Sequence, residues 1–274
     1  MKKIALCFLI SYKHIVEKEQ LWIDWIKEND DIINIYFHYT DISKITSQWI
    51  KKHIIPPQYI RKTSYLNVVP AYMSLLQSAK NHDKNNHWFC MLTDSCVPII
   101  SPTKFRQIFT THSTNSIFSW KRAWWNVYMH KRANLRLIGD RFRLAHDPWF
   151  VLTREHVDIC LLSIKHKHTN PIYNTVLAGG LANESIFAIL FKLANKLSSP
   201  DISNSTSTWS DWSRMSSSTS PYVFKHPTNE NIQIIHDMLK KNKYTIFLRK
   251  VDKAFPDDAI KKIMNTNFGH TYSN

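Results

Sequence analysis

Apolar residues follow two patterns along this chain, and the two patterns alternate. Runs of β-branched and aromatic residues, such as residues 32–38, have the composition of strands. Apolar positions spaced three and four apart, as at Val69, Tyr72 and Leu76, are typical of helices with one buried face. The predicted strands are 3–10, 32–38, 88–93 and 244–249. Residues 147–157 are predicted to form a short strand that leads into a helix. The other predicted helices are 17–28, 40–51, 68–80, 101–109, 228–241 and one from Pro256. This alternation predicts an α/β fold with a mostly parallel central sheet flanked by helices.

One predicted helix carries a candidate functional residue. Residues 178–193 read AGGLANESIFAILFKL, with apolar residues at positions i, i+3, i+4 and i+7 of a helix that begins close to Glu184. Gly179 and Gly180 allow the backbone before it to present the helix N terminus at a cleft. The helix dipole also favours an acid in the first turn of a helix. These residues alone therefore leave open whether Glu184 is functional or only a first-turn acid.

The predicted sheet also indicates where a ligand would bind. In open sheets of this kind, ligands bind beyond the carboxyl ends of the strands. His38 and Asp41 follow the second strand, and Asp94 follows the third. We therefore expect these three side chains at the ligand-binding edge.

The charge of the chain favours a partner that carries phosphate. The formal net charge is +15, which indicates a strongly electropositive surface. Seven cations lie in the segment 119–144, interleaved with aromatic residues such as Trp124 and Tyr128. Such a segment can line a nucleic-acid groove, flank a sugar site or form a solvated basic face. Nucleic acid, anionic lipid and nucleotide-sugar all remain open as partners at this point.

The spacing of cysteines and histidines predicts no metal site. The four cysteines include no C-x-x-C pair and match no zinc spacing, so we expect reduced, buried thiols. His166 and His168 have no nearby carboxylate or cysteine and are expected to form a solvated turn. The apolar run within 3–10 is at the lower limit for a signal peptide, and no stretch approaches the roughly 20 apolar residues of a membrane helix. We therefore expect no transmembrane anchor.

Five short segments occur in a recognisable order. They are L-T-D-S-C-V-P-I at 92–99, P-W-F-V-L-T-R at 148–154, A-N-E-S-I at 182–186, S-D-W-S-R at 210–214 and F-L-R-K-V at 247–251. In this order the chain resembles the core-2/I-branching β-1,6-N-acetylglucosaminyltransferase family, with its plant and microbial relatives and the peptide O-xylosyltransferases. The corresponding family motifs are L-S-E-S-C-I-P-L, Q-W-F-V-L-x-R, P-D-E-H-Y, V-D-W-S-R and F-A-R-K-F.

The resemblance implies a GT-A-like fold and an inverting, metal-independent transfer of a sugar from a UDP-sugar. N-acetylglucosamine or xylose is the expected sugar, and a glycan or protein hydroxyl is the expected acceptor. Because the sequence contains no D-x-D pair, fixed cations are expected to stabilise the departing diphosphate. We expect one domain over 1–274, with a nucleotide-binding half at 1–118 and an acceptor and catalytic half at 119–274.

The resemblance also assigns roles to individual residues. Glu184 matches the family's catalytic glutamate and is expected to be the general base. The residues expected around the donor are Arg214, Arg249 and Lys250 at the diphosphate, and His38, Asp41 and Asp94 near the nucleotide. The aromatic residues expected to contact the acceptor are Trp124, Trp149 and Trp212. No metal ligand and no other cofactor is expected.

Two departures from the family pattern keep other functions open. Asn183 and Ser185 stand where the family has Asp and His beside the catalytic glutamate. A catalytically inactive glycan-binding relative therefore remains an alternative, as does a basic nucleic-acid-binding protein. Asn183 also begins an N-x-[ST] sequon whose glycan would obstruct the proposed site. We therefore expect a soluble, cytoplasmic enzyme of microbial or viral type, outside the eukaryotic secretory route.

Overall fold

The computed structural model describes residues 1–165 and 170–266, which are built around a six-stranded sheet. The strands are Lys3–Leu9 (β1), Ile33–His38 (β2), Asn86–Thr93 (β3), Val97–Pro98 (β4), Ser116–Ile117 (β5), Trp120–Arg122 (β6), Leu144–His146 (β7), Val151–Thr153 (β8), Ile202–Ser203 (β9), Thr208–Ser210 (β10) and Phe247–Arg249 (β11). The helices are Glu19–Lys27 (α1), Gln48–Lys52 (α2), Val69–His82 (α3), Pro102–His112 (α4), Arg154–Lys165 (α5), Pro171–Leu177 (α6), Ile186–Leu193 (α7), Asn229–Lys241 (α8) and Asp257–Asn265 (α9). The predicted turn at His166 and His168 lies outside the described residues.

The strand order of the central sheet is β2-β1-β3-β8-β5-β9. β1 pairs in parallel with both β2 and β3, and β5 pairs in parallel with β9. β8 is antiparallel to both of its neighbours. The structure therefore confirms the prediction of a mostly parallel sheet flanked by helices, with one reversed strand that the sequence pattern does not reveal.

Alternate residues of β1 pack into two different cores, because successive side chains of a strand point to opposite faces. Ile4, Leu6 and Phe8 are fully buried or nearly so with residues of α1, α4, α8 and α9. Ala5 and Cys7 face residues of α3, α5 and α7. A strand buried on both faces reads as a continuous apolar run, which is the pattern that the sequence shows at residues 3–10.

Capping residues set several helix starts where the sequence predicts them. The Ser101 hydroxyl accepts a hydrogen bond from the Lys104 amide at 3.2 Å before α4. The Thr228 hydroxyl accepts one from the Asn231 amide at 3.2 Å before α8. Each cap gives a partner to one of the free amide groups in the first turn.

The predicted helix at residues 40–51 is wrong over most of its length. The Asp41 carboxylate accepts a hydrogen bond from the Ser43 amide at 3.0 Å, which limits this stretch to a 3₁₀ turn at Ile42–Lys44. The Ser47 hydroxyl then caps a separate short helix, α2. Both side chains offer the backbone a local hydrogen bond that competes with a continuous helix.

Two smaller sheets complete the fold. β6 and β7 form an antiparallel pair. β10, β11 and β4 form a three-stranded sheet, in which β11 is parallel to β10 and antiparallel to β4. The Val251 amide donates to the Ser95 carbonyl at 3.1 Å, so the end of β11 lies beside the turn that follows β3. This contact brings two segments together that are about 150 residues apart in the chain.

The described helices were also compared with the requirements of a membrane span. Within residues 1–165 and 170–266, none of them combines the length and the apolar character needed to cross a bilayer.

Candidate active site

A loop with two glycines positions Glu184. The Gly180 carbonyl accepts a hydrogen bond from the Ala133 amide at 2.8 Å, and the Leu181 amide donates to the Leu66 carbonyl at 2.9 Å. A 3₁₀ turn at Ala182–Glu184 follows, and α7 begins two residues after Glu184. The prediction of a helix that starts close to Glu184 is therefore confirmed, and the loop is fastened on both sides by segments distant in sequence.

The Glu184 side chain is largely buried beside a cation. Its Oε2 atom lies 2.8 Å from Nη2 of Arg132, and 20% of the side chain is exposed. Burial raises the pKa of the Glu184 carboxyl, the charges of Arg132 and Arg249 lower it, and Asp147 raises it further. The carboxylate thus has two cations and one acid around it in a site that excludes most water.

Two buried polar groups near Glu184, the Ser185 hydroxyl and Arg249 Nε, lack hydrogen-bond partners within the described chain. The Tyr72 hydroxyl interacts with the Asn183 side chain. Burial raises the pKa of the Tyr72 hydroxyl, and both Glu184 and Arg249 influence that pKa. Buried polar atoms are usually paired, so a concentration of unpaired ones is typical of a functional site.

Arg249 connects the catalytic candidate to the donor candidates. Its guanidinium carbon lies 4.9 Å from the centre of the Trp149 ring. Burial lowers the pKa of Arg249, and Asp94 raises it. The charge of Arg249 also lowers the pKa of Glu184, so this cation acts on both acids. Three predicted site residues, Glu184, Arg249 and Trp149, are therefore grouped in the structure.

A second group of charges surrounds Asp94 at the end of β3. The Asp94 carboxylate accepts hydrogen bonds from the Thr93 hydroxyl at 2.9 Å and from the Ser11 amide at 3.3 Å. Burial lowers the pKa of Lys250, with further lowering from Arg249 and Lys13, while Asp94 raises it. The Lys250 ammonium donates to the Ser220 hydroxyl at 3.3 Å. The predicted residues Asp94, Arg249 and Lys250 thus share one electrostatic environment.

Arg214 is held in place by its own segment. Its Nε donates to the Asp211 carboxylate at 2.7 Å and its Nη1 donates to Asn231 Oδ1 at 3.0 Å. The guanidinium also lies 4.0 Å from the centre of the Tyr222 ring. Arg214 Nη2 is buried without a hydrogen-bond partner among the described residues.

The two residues predicted near the nucleotide on β2 differ in exposure. His38 is fully buried, its Nε2 accepts a hydrogen bond from the Arg61 amide at 3.0 Å, and burial lowers its pKa to about 4. Asp41 is half-buried, and hydrogen bonds from Ser43 lower its pKa. His38 is therefore neutral near pH 7, and its contact with a ligand stays a prediction, as does that of Asp41.

The remaining predicted acceptor residues are half-exposed tryptophans. The Trp124 side chain is 53% exposed and stands edge-on against Trp125, with ring centres 4.9 Å apart. Trp125 in turn has the Arg132 guanidinium 4.9 Å from its ring centre. Trp124 is therefore connected to Glu184 through two intervening side chains. Trp212 is 52% exposed, two residues before Arg214.

No metal-ligand cluster is found among residues 1–165 and 170–266, where three or more His, Cys, Asp or Glu side chains would have to converge. All four cysteines are buried free thiols, as predicted.

The whole chain was then compared with known families. A sequence model of the core-2/I-branching enzyme matches residues 6–236 of the 274. The chain belongs to the core-2/I-branching enzyme family. It is therefore a glycosyltransferase with a GT-A-like fold, which confirms the resemblance, and four of the five motifs lie within the match. The family match includes Glu184 and Arg214 and ends before Arg249 and Lys250. No curated protein matches the chain.

The sequence alone did not identify three side chains that the structure places beside Glu184. Arg132 lies within the basic segment, where nothing distinguishes it from six other cations. Burial raises the pKa of Asp147. Asp147 directly precedes the P-W-F-V-L-T-R segment, and this position beside a family motif could have identified it from the sequence. Tyr72 occupies an apolar position of a helix and was predicted only as core. Each of the three is recognised as part of the site by its neighbours in space.

Proposed function

We propose that this glycosyltransferase moves a sugar from a UDP-sugar to a hydroxyl of a glycan or protein, with inversion and without a metal ion. N-acetylglucosamine or xylose is the proposed sugar. The observation that carries the proposal is the buried Glu184 carboxylate. Burial raises its pKa, and the fixed cation Arg249 acts on it. Membership of the core-2/I-branching family supports the same reaction class.

Glu184 is the general base of the proposed reaction. An inverting transfer needs one base to take the proton of the acceptor hydroxyl while its oxygen attacks the anomeric carbon opposite UDP. A carboxylate with a pKa raised by burial is a better proton acceptor than a fully solvated one, provided that it stays ionised. The cation of Arg132 at 2.8 Å favours the ionised form.

Arg249 and Lys250 are the proposed cations for the departing UDP. Negative charge grows on the diphosphate as the glycosidic bond breaks, and preorganised cations stabilise it without reorganisation. Both side chains are partly withdrawn from water, which strengthens their interaction with an anion. Arg214 is proposed as a third ligand through its unpaired Nη2.

Trp149 packs against Arg249 and is the proposed platform for the transferred or accepting sugar. Its ring is flanked by Arg249 and by Tyr72, whose ring centre is 6.2 Å away. Aromatic rings bury large apolar areas and pack against the apolar face of a sugar ring. Trp124 and Trp212 remain proposed acceptor contacts.

The proposed function is tested by UDP release from a panel of UDP-sugars in the presence of EDTA, with simple glycans and a hydroxyl-bearing peptide as acceptors. Turnover of one donor in EDTA, with the opposite anomeric configuration in the product by NMR, is the expected result. Retention of configuration, or turnover that needs an added divalent cation, would contradict the proposed mechanism. Absence of any UDP binding would contradict the donor class.

Lys250→Ala is expected to lower kcat for donor turnover by about tenfold. A full charge pair at 4 Å contributes roughly 4 kcal/mol at an effective dielectric of 20. Because Lys250 is partly solvated, its interaction with the diphosphate is expected to be weaker than this. Steady-state kinetics of both variants measure it, with Lys253→Ala as the control because Lys253 is exposed three residues later. Equal kinetics of the two variants would remove Lys250 from the diphosphate site.

Arg132→Gln is expected to move the acidic limb of the pH–rate profile to higher pH. Glu184 must be ionised to accept a proton, so activity falls as the pH falls through its pKa. Arg132 lowers that pKa, and removing its charge therefore raises it. The profile of kcat/KM against pH measures the shift, with Lys51→Gln, an exposed cation of α2, as the control. An unmoved acidic limb would show that Glu184 does not determine it.

A further inference from the structure

We propose that the exposed surface of residues 120–143, here called the arm, docks on the surface of an anionic lipid bilayer. The arm begins in β6 and ends just before β7, outside the central sheet. This inference goes beyond the proposed transfer reaction, because it concerns where the enzyme works and not which bond it forms.

The first observation is a concentration of exposed apolar side chains. Among the described residues, thirteen large hydrophobic side chains are exposed, and four of them lie in this one stretch. They are Trp124 (53% exposed), Tyr128 (67%), Met129 (77%) and Leu137 (62%). Soluble surfaces carry single exposed apolar residues, but a cluster rimmed by polar groups marks an interaction site.

The second observation is the charge around these apolar groups. The exposed cations of the arm are Lys121, Arg122, Lys131, Arg136 and Arg141. Its one acid, Asp140, forms ion pairs with Arg122 and Arg143. The arm is therefore strongly positive, and anionic lipid headgroups attract such clusters.

At two places in the arm, a cation packs directly on an aromatic ring. The Lys121 ammonium lies 4.6 Å from the centre of the Trp124 ring, and the Arg143 guanidinium lies 5.0 Å from that of Tyr128. A cavity of about 220 Å³ between them is lined by residues that include Arg122, Trp125 and Tyr128. Cations stacked on aromatic rings at the edge of an apolar patch match the polarity gradient of a bilayer interface.

The composition of the arm favours lipid over nucleic acid. Tryptophan and tyrosine suit either partner, since both stack on bases and both accumulate at membrane interfaces. Met129 and Leu137 have no π face to stack on a base, whereas acyl chains bury them favourably. The aliphatic side chains therefore decide between the two partners.

The arm also borders the candidate active site. Arg132 packs on Trp125 and pairs with Glu184, and the Ala133 amide is bonded to the Gly180 carbonyl. A bilayer bound to the arm would therefore lie beside the mouth of the site. If the proposed function holds, this placement gives the enzyme access to acceptor glycans carried by membrane lipids.

The test is co-sedimentation of the full chain with vesicles of phosphatidylcholine, with and without about 30% phosphatidylglycerol. Binding to the anionic vesicles, weakened by salt, is expected, together with little binding to the neutral ones. Vesicle binding requires no donor turnover, so its outcome is separate from that of the UDP-release experiment. Equal binding to both vesicle types, or to neither, would overturn the proposal.

Two pairs of variants locate the binding surface. Trp124→Ala with Met129→Ala is expected to weaken vesicle binding at least tenfold, whereas Leu162→Ala with Met215→Ala, which removes two other exposed apolar groups, leaves it unchanged. Lys131→Glu with Arg136→Glu is expected to weaken it at least tenfold, and Lys51→Glu with Lys52→Glu much less, although both pairs change the net charge equally.

Circular dichroism and melting temperature confirm that each variant is folded. Equal losses in the two charge pairs would show that net charge alone drives binding and would overturn the proposal. Tighter binding to a single-stranded oligonucleotide than to vesicles, lost in the same arm variants, would assign the arm to nucleic acid instead.

Discussion

Glu184→Gln is expected to lower the rate of sugar transfer by about a thousandfold or more while UDP binding is retained. The amide has nearly the shape of the carboxylate, but it cannot accept the proton of the acceptor hydroxyl. Loss of the negative charge also leaves the Arg132 guanidinium without its ion-pair partner. Because Arg132 is 30% exposed, water compensates part of this loss and the fold is expected to persist.

The measurement is UDP release with the active donor, together with a thermal shift on adding UDP. Glu155→Gln is the matched control, since Glu155 is an exposed carboxylate of α5 that pairs with Lys196 on the surface. A Glu184→Gln enzyme with normal turnover would rule out Glu184 as the base. Equal loss of turnover in Glu155→Gln would point to a general effect on the fold.

Gly179→Ala is expected to reduce both stability and activity. An added Cβ would lie 2.4 Å from the Asn134 amide nitrogen and 2.6 Å from the Ala133 carbonyl carbon, and no side-chain rotation relieves a clash with backbone. The loop must shift, which costs about 1–3 kcal/mol of unfolding free energy. Because this loop leads directly into Glu184, a displacement of about 1 Å is expected to lower kcat by roughly a hundredfold.

The neighbouring glycine provides the control for this prediction. An added Cβ at Gly180 would meet only the Leu66 side chain, at 3.6–3.8 Å, which is ordinary van der Waals contact. Gly180→Ala is therefore expected to keep nearly normal melting temperature and turnover. Urea denaturation and steady-state kinetics of the two variants test the difference, and equal behaviour would show that the close contact at Gly179 does not control the loop.

These experiments separate three claims about the molecule. The Glu184 variant tests the identity of the base, the glycine pair tests how the base is positioned, and the vesicle assay tests the arm. The vesicle assay is independent of the other two, whereas the expected loss of kcat in Gly179→Ala depends on Glu184 being the base. The glycosyltransferase class itself rests on the family match over residues 6–236.

Much of the fold was predictable because its signals are local. β1 reads as an apolar run because both of its faces are buried, and α8 begins after Thr228 because its hydroxyl caps the helix. The helix predicted over 40–51 failed because Asp41 and Ser47 bond their own backbone neighbours. The reversed direction of β8 was also hidden, since strand direction depends on the path of the chain and not on residue pattern.

The residues of the candidate site also differ in whether the sequence could predict them. Glu184 could be found from the sequence, because two glycines and a helix start mark its position and a family motif matches it. The residues around Glu184 could not be found from the sequence, because Arg132 and Asp147 belong to segments about 50 and 40 residues earlier in the chain. A pKa shift depends on burial and on charges within a few ångströms, and neither is written in the local sequence.

The sequence by itself determined the fold class, most of the longer strands and helices, the excess of positive charge, the family and the position of the proposed base, Glu184. The tertiary structure decided which cations surround Glu184, since Arg132 and Arg249 are more than 100 residues apart in the chain. It also decided that four apolar side chains of the arm are exposed, which their spacing in the sequence does not predict. Local pattern sets secondary structure, whereas exposure and electrostatic environment follow from long-range packing.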